Sequence, residues 1–255
     1  MDKNIGRKRN KATVSLALVL VTAVITFTVI YTVGKNKIND FSIVASVSGA
    51  PIIYREYMQS VITVRADVIS YFVVRGADQG SDTFWYTPID GVIPIESLKK
   101  AALEKAVKNK IIQIFGKEKD LIKDISYKTF LNDLKKENKR RESALKSNQP
   151  VYGPQQYSER IYYDLTITGL EAAIKEKLAR ESAFPEEEMR RIYEEQWKNM
   201  PDSTGKYPTY EQIKGVIGAR MSDDEYNGML SGRLEKANVK TDDRVYGRID
   251  NMLIR

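Results

Sequence analysis

Hydrophobic and polar residues follow two different patterns along the chain. Residues 12–33 form one uncharged run, whereas the residues after it alternate between short apolar stripes and charged positions. At about 1.5 Å per residue, a 22-residue helix spans roughly 33 Å, enough to cross a hydrocarbon core of about 30 Å. The alternative is a cleavable secretory signal, whose apolar region is normally about 7 to 15 residues long and ends at an A-x-A-like site. The longer run, which ends at Thr32 and Val33, favours a retained transmembrane signal anchor.

The stripes beyond this run predict a domain of helices over residues 42–255. Apolar residues recur at intervals of three and four, which is typical of helices that bury one face. Three helices are predicted with both ends: 52–74, from Pro94 to a stop at Gly116, and from a capping box at Thr209 to about 237. Three more are predicted without a fixed end: one that begins after a cap at Ser126, one that carries an apolar stripe over 163–178, and a short one that begins at 186. The charged run at 135–142 is predicted to be a solvated helix face.

Extended segments are predicted near the two ends of this domain. Residues 42–48 alternate apolar and polar side chains before Gly49, while 238–240 and 244–246 can also be extended. The predicted fold class is therefore mainly α, with a small two- or three-stranded β element that joins the ends of the domain.

Charge sets the expected orientation of the anchor. The tail at 1–11 carries five cations and one acid, or +4 of the formal charge of +7, and such an excess keeps a segment in the cytoplasm. Residues 34–41 are a short linker, and the domain at 42–255 is expected to be extracytoplasmic. Since only +3 remains for 244 residues, the basic pI does not indicate a nucleic-acid partner. The sequence leaves the oligomeric state open.

Two absent residue types narrow the chemistry. The chain has no Cys and no His, which excludes disulfides, thiol catalysis, the usual zinc sites and histidine-based triads. No Gly-rich phosphate loop is present. We therefore expect no catalytic residue, no metal and no cofactor, although a site built from carboxylates and lysines stays open. Residues 186–188, three adjacent glutamates, are expected to interact with a helix dipole rather than to catalyse.

Several motifs resemble one family of extracytoplasmic chaperones, the SurA and PrsA type. The segment ALEKAVKNKIIQIFG is similar to that family's long second helix, FPEEEMRRIYEEQ to the helix that ends its first half, and IKGVIGARM with LSGRLEKANV to its returning helix and final strand. The resemblance covers most of residues 42–246. It begins with a motif that is similar to the family's opening: Val47, Gly49, Pro51, Ile52, Glu56 and Tyr57.

The chain departs from this family at one place. A parvulin-type prolyl isomerase domain commonly separates the last two segments, but only residues 199–208 lie there in this chain, and parvulin sites characteristically use histidines. The resemblance therefore implies a SurA N-terminal-like chaperone domain without the isomerase. It implies a membrane-anchored protein that binds unfolded or secreted polypeptides without catalysis. Two alternatives are a peptidyl-prolyl isomerase or foldase by descent, and a structural subunit that docks one membrane partner.

Aromatic side chains are the candidates for contact with a client polypeptide, because they offer large contact area at small entropic cost. The alternative is that most of them belong to the core. The candidate client contacts are Tyr71, Phe72, Phe84, Trp85, Tyr86, Tyr152 and Tyr157.

Overall fold

The computed structural model describes residues 37–182, 184–201, 203 and 205–254. The predicted tail at 1–11, the predicted anchor at 12–33 and the first residues of the predicted linker lie outside this part of the chain. Within the described ranges, no helix has both the length and the apolar character needed to cross a membrane.

A three-stranded antiparallel sheet connects the two ends of the domain, as the sequence predicted. Strands β1 (Ile43–Val47) and β2 (Ala50–Ile53) form a hairpin, and β3 (Val239–Thr241) pairs with the other edge of β1. The hairpin turn places Ser48 and Gly49 at positive φ, 49° and 85°. Two successive left-handed residues suit a tight hairpin, because their twist matches that of the flanking strands.

The rest of the described chain is mostly helical, which confirms the predicted mainly-α class. Side-chain oxygens cap three of the longer helices, from Ser126, from Ser158 and from the capping box of Thr209 with Gln212. The longer helices are α1 (Tyr54–Val73), α2 (Pro94–Glu118), α3 (Tyr127–Lys146), α4 (Glu159–Glu181), α5 (Glu186–Ile192), which continues as a π-helical turn over Tyr193–Trp197, and α6 (Tyr210–Glu235). Two short helices follow β3, namely α7 (Asp243–Tyr246) and α8 (Asp250–Leu253).

Two elements next to the sheet differ from the prediction. Residues 244–246 were expected to be extended but belong to α7, because the carboxylate of Asp242 accepts the main-chain N–H of Arg244 and caps the turn. Helix α1 begins at Tyr54 rather than at residue 52, since Ile52 and Ile53 still pair with β1.

Gly116 was predicted to end helix α2 but lies inside it. Helix α2 continues through it to Glu118, and a Cβ atom at position 116 would lie 2.5 Å from Cδ1 of Leu170 on α4. Glycine therefore lets α2 and α4 approach closely. The core of the domain includes the fully buried side chains of Tyr57, Phe115 and Ile174.

Candidate functional site

The seven candidate aromatic residues divide into three groups by exposure. Phe72 and Phe84 are buried in the core, so their rings are not available to a client in this conformation. Trp85 and Tyr157 are half-buried. The remaining three side chains are exposed: Tyr71 at 49%, Tyr86 at 43% and Tyr152 at 87%.

Tyr71 lies in an exposed apolar segment at the end of α1. Val73 and Val74 follow it, and Val74 is 76% exposed although it is fully apolar. The guanidinium carbon of Arg75 lies 3.6 Å from the centre of the Tyr71 ring, and the same group donates to the Tyr71 carbonyl at 2.8 Å. One face of the tyrosine ring is thus covered by a cation, while the neighbouring valines remain open to solvent.

The loop after α1 presents a second exposed apolar set, Tyr86, Val92 and Ile93. Its main chain is tied to the domain at Trp85, whose carbonyl accepts the N–H of Ile95 at 3.0 Å. The guanidinium of Arg65 on α1 lies 5.2 Å from the centre of the Trp85 ring. Trp85 therefore anchors the loop, and the side chain of the next residue, Tyr86, is exposed to solvent.

Tyr152 and Tyr157 lie in the segment between α3 and α4, which Arg141 holds in place. Arg141 is buried, donates to the carbonyls of Tyr152 at 3.0 Å and Pro154 at 2.7 Å, and hydrogen-bonds the Tyr157 hydroxyl. The Asn138 side chain bonds both the N–H and the carbonyl of Tyr157. Tyr157 is thus a structural anchor, whereas Tyr152 has a fixed main chain and an exposed ring.

Arg141 is an exception to the prediction that the charged run at 135–142 is a solvated helix face, because it is buried while most of the run is exposed. The pattern of charges did not distinguish Arg141 from its exposed neighbours such as Arg140. The segment that follows, SNQPVYGPQQ, could have indicated the role of Arg141. Its main-chain carbonyl groups lack hydrogen-bond donors within the segment, and one arginine can donate to several of them.

A buried ion pair, which the sequence analysis missed, joins α1 to α2. Nζ of Lys110 lies 2.8 Å and 3.0 Å from the two carboxylate oxygens of Glu56, and the Tyr163 hydroxyl donates to the same carboxylate at 3.2 Å. Burial raises the pKa of Glu56, and the ammonium of Lys110 opposes that rise. The side chains are only 3% and 1% exposed.

A cavity of about 410 Å³ adjoins this pair, between β2, α2 and the segment before α3. Its lining includes Pro51, Ile53, Ile125 and Tyr127, besides Glu56 and Lys110. The carboxylate and the ammonium bind each other, so the pair cross-links α1 and α2. In the ranges that the structure describes, no cluster of three Asp or Glu residues is arranged to hold a metal ion.

Glu159 forms a second polar junction, between α1, α3 and α4. Its carboxylate accepts from Nε of Arg55 at 2.9 Å, from the Tyr127 hydroxyl at 2.6 Å and from the Gln59 amide at 3.1 Å. Burial raises the pKa of Glu159, but the hydrogen bonds from Arg55 and Tyr127 outweigh burial and hold it below its ordinary value. This junction ties the start of α4 to α1 and α3.

Comparison with models of protein families, with curated proteins and with solved structures finds no match to this chain.

Proposed function

We propose that this protein is a membrane-anchored, chaperone-like module of the SurA and PrsA type that binds unfolded or extended polypeptides outside the cytoplasm. In this proposal residues 12–33 are the anchor, the basic tail lies in the cytoplasm, and the helical domain acts by binding alone. The motifs that resemble the family, and the strand that returns to the first hairpin, support it.

One observation carries the proposal, namely that large apolar side chains are exposed on segments whose main chain is fixed. Tyr71 extends from helix α1, whereas Tyr86 and Tyr152 extend from segments held by Trp85 and Arg141. Clustered exposed apolar side chains, such as Tyr71 with Val73 and Val74, are typical of interaction sites. A preorganised surface also loses less conformational entropy on binding, which suits a binder of many different chains.

The test is suppression of aggregation without ATP. Full-length protein in mild detergent is mixed with chemically denatured citrate synthase, and light scattering follows aggregation of the enzyme. We expect suppression at a few-fold excess, and a clear loss of suppression in a triple variant with Tyr71→Ser, Tyr86→Ser and Tyr152→Ser. Tyr207→Ser is the matched control, since Tyr207 is also exposed but lies outside these segments.

Absence of suppression by the unmodified protein would refute the proposal. Equal suppression by the triple variant would show that these tyrosines do not form the client-binding surface. A photocrosslinker at position 152 in cells separates the alternatives, because a chaperone captures many secreted chains and a structural subunit captures one dominant protein. Acceleration of cis–trans conversion in a proline peptide would instead favour the isomerase.

A further inference from the structure

The direction of the main-chain hydrogen bonds along β3 leaves one edge of the sheet open. The carbonyl of Asn238 accepts from the N–H of Ser48, and the N–H of Asp242 donates to the carbonyl of Val44, both at 2.9 Å. Lys240 lies opposite Ser46 in the same ladder. Because hydrogen bonding alternates along an antiparallel strand, the N–H and C=O groups of the two intervening residues point away from β1.

These intervening residues are Val239 and Thr241. All of β3 is exposed, and no main-chain or side-chain group of the described ranges bonds the outward main-chain groups of Val239 or Thr241. Up to four hydrogen-bonding groups thus face solvent in the spacing that an extended polypeptide matches.

The opposite edge of the sheet is protected. On β2 the N–H of Tyr54 donates to the carbonyl of Ser42 at 2.7 Å, and Ile52 lies opposite Ala45, so the outward positions are Pro51 and Ile53. Proline has no N–H to offer, which is a common means of blocking strand addition at an edge. The sheet therefore has one blocked edge and one open edge.

We propose that the outer edge of β3 binds an extended segment of a client polypeptide as a fourth strand. This inference rests on the proposed function and specifies what the module recognises, namely the client's main chain. A free strand edge recognises N–H and C=O groups rather than particular side chains, which suits clients of unrelated sequence. A groove beside the edge carries both the exposed Ile43 and the charged Lys240 and Arg244, so it tolerates apolar and polar client side chains.

The test uses the full-length protein in mild detergent and reduced, carboxymethylated α-lactalbumin, which stays unfolded. Thr241→Pro removes one outward N–H and leaves the bond from Asp242 to Val44 in place. Thr241→Ala is the matched control, because it shortens the side chain but retains the N–H. We expect Thr241→Pro to weaken client binding about fivefold relative to Thr241→Ala, the effect of losing roughly one net hydrogen bond.

Hydrogen exchange of the unmodified protein gives a readout that needs no variant. The client should slow exchange of the Val239 and Thr241 amides, while the Lys240 amide, which faces β1, serves as the internal reference. If the unmodified protein binds the client without slower exchange at either amide, client binding at the edge of β3 is refuted and the proposed function stands. Equal affinity of Thr241→Pro and Thr241→Ala for the client has the same consequence. Absence of client binding would overturn both. Protection that rises with protein concentration without client would assign the edge to a second copy of the chain.

Discussion

Replacement of Lys110 by Met tests whether the buried ion pair is a structural cross-link. Methionine keeps the length of the aliphatic chain but removes the ammonium, so the Glu56 carboxylate stays buried without its counter-charge. Breaking a buried pair by removing one partner typically costs about 3–5 kcal/mol. The carboxyl can limit this cost by taking up a proton.

The free energy needed to protonate Glu56 sets the upper limit of the destabilisation expected for Lys110→Met. At about pH 7, neutralising a carboxyl with an ordinary pKa of about 4.3 costs roughly 3.7 kcal/mol, whereas at about pH 5 it costs roughly 1 kcal/mol. Removing Lys110 raises the pKa of Glu56 further, because the ammonium is what opposes the effect of burial. A carboxyl whose folded pKa lies above its unfolded value stabilises the fold less as pH rises. The deficit of Lys110→Met should therefore grow from about 1–2 kcal/mol near pH 5 to about 3–4 kcal/mol near pH 7.

Urea unfolding of the full-length protein, followed by circular dichroism at both pH values, measures this deficit. The control is the double variant with Glu56→Gln and Lys110→Met, which buries no charge and should lie within about 1–2 kcal/mol of the unmodified protein at both pH values. A deficit for Lys110→Met below about 1 kcal/mol near pH 7, or one that does not change with pH, would refute the reasoning.

Two further changes test the packing and the second polar junction. Gly116→Ala should lower the free energy of unfolding by about 1 kcal/mol or more because its methyl group clashes with Leu170. The control, Gly215→Ala, lies in open space on α6 and should raise the free energy of unfolding by about 0.5–1 kcal/mol. Changes of the same sign for both variants in urea titrations would contradict this account. Because the pKa of Glu159 is lower in the folded protein, its carboxylate stabilises the fold at pH values above its ordinary pKa, and this stability is lost as pH falls through the folded pKa. Acid titration from pH 5 to 3 should therefore destabilise the unmodified protein more than Glu159→Gln. Equal acid sensitivity would contradict it.

Local patterns in the sequence predicted most of the elements, because caps and apolar stripes act within a few residues. The capping box of Thr209 and Gln212 is an example, since both of its hydrogen bonds form within one turn. The pair of Glu56 and Lys110 could not be predicted in this way. Its members are 54 residues apart, and each looks like any charged residue on an amphipathic helix.

The same limit applies to the candidate site. Residue type alone could not separate the exposed Tyr71 from the buried Phe72, which is its neighbour in sequence, because the two point to different sides of α1. Nor could it separate Tyr152 from Tyr157, since the difference lies in how Arg141 binds their segment. Exposure of an aromatic group depends on the tertiary contacts of the element that carries it.

The two kinds of recognition proposed for this module depend on one property, the rigidity of the segments that present them. The edge of β3 is held by β1, and the ring of Tyr152 extends from a segment that a buried arginine fixes. An unfolded client loses conformational entropy wherever it is ordered, so a module that also had to order itself would bind more weakly. Loosening the scaffold without altering its exposed groups, as Lys110→Met is expected to do, should therefore weaken client binding even though Lys110 contacts no client.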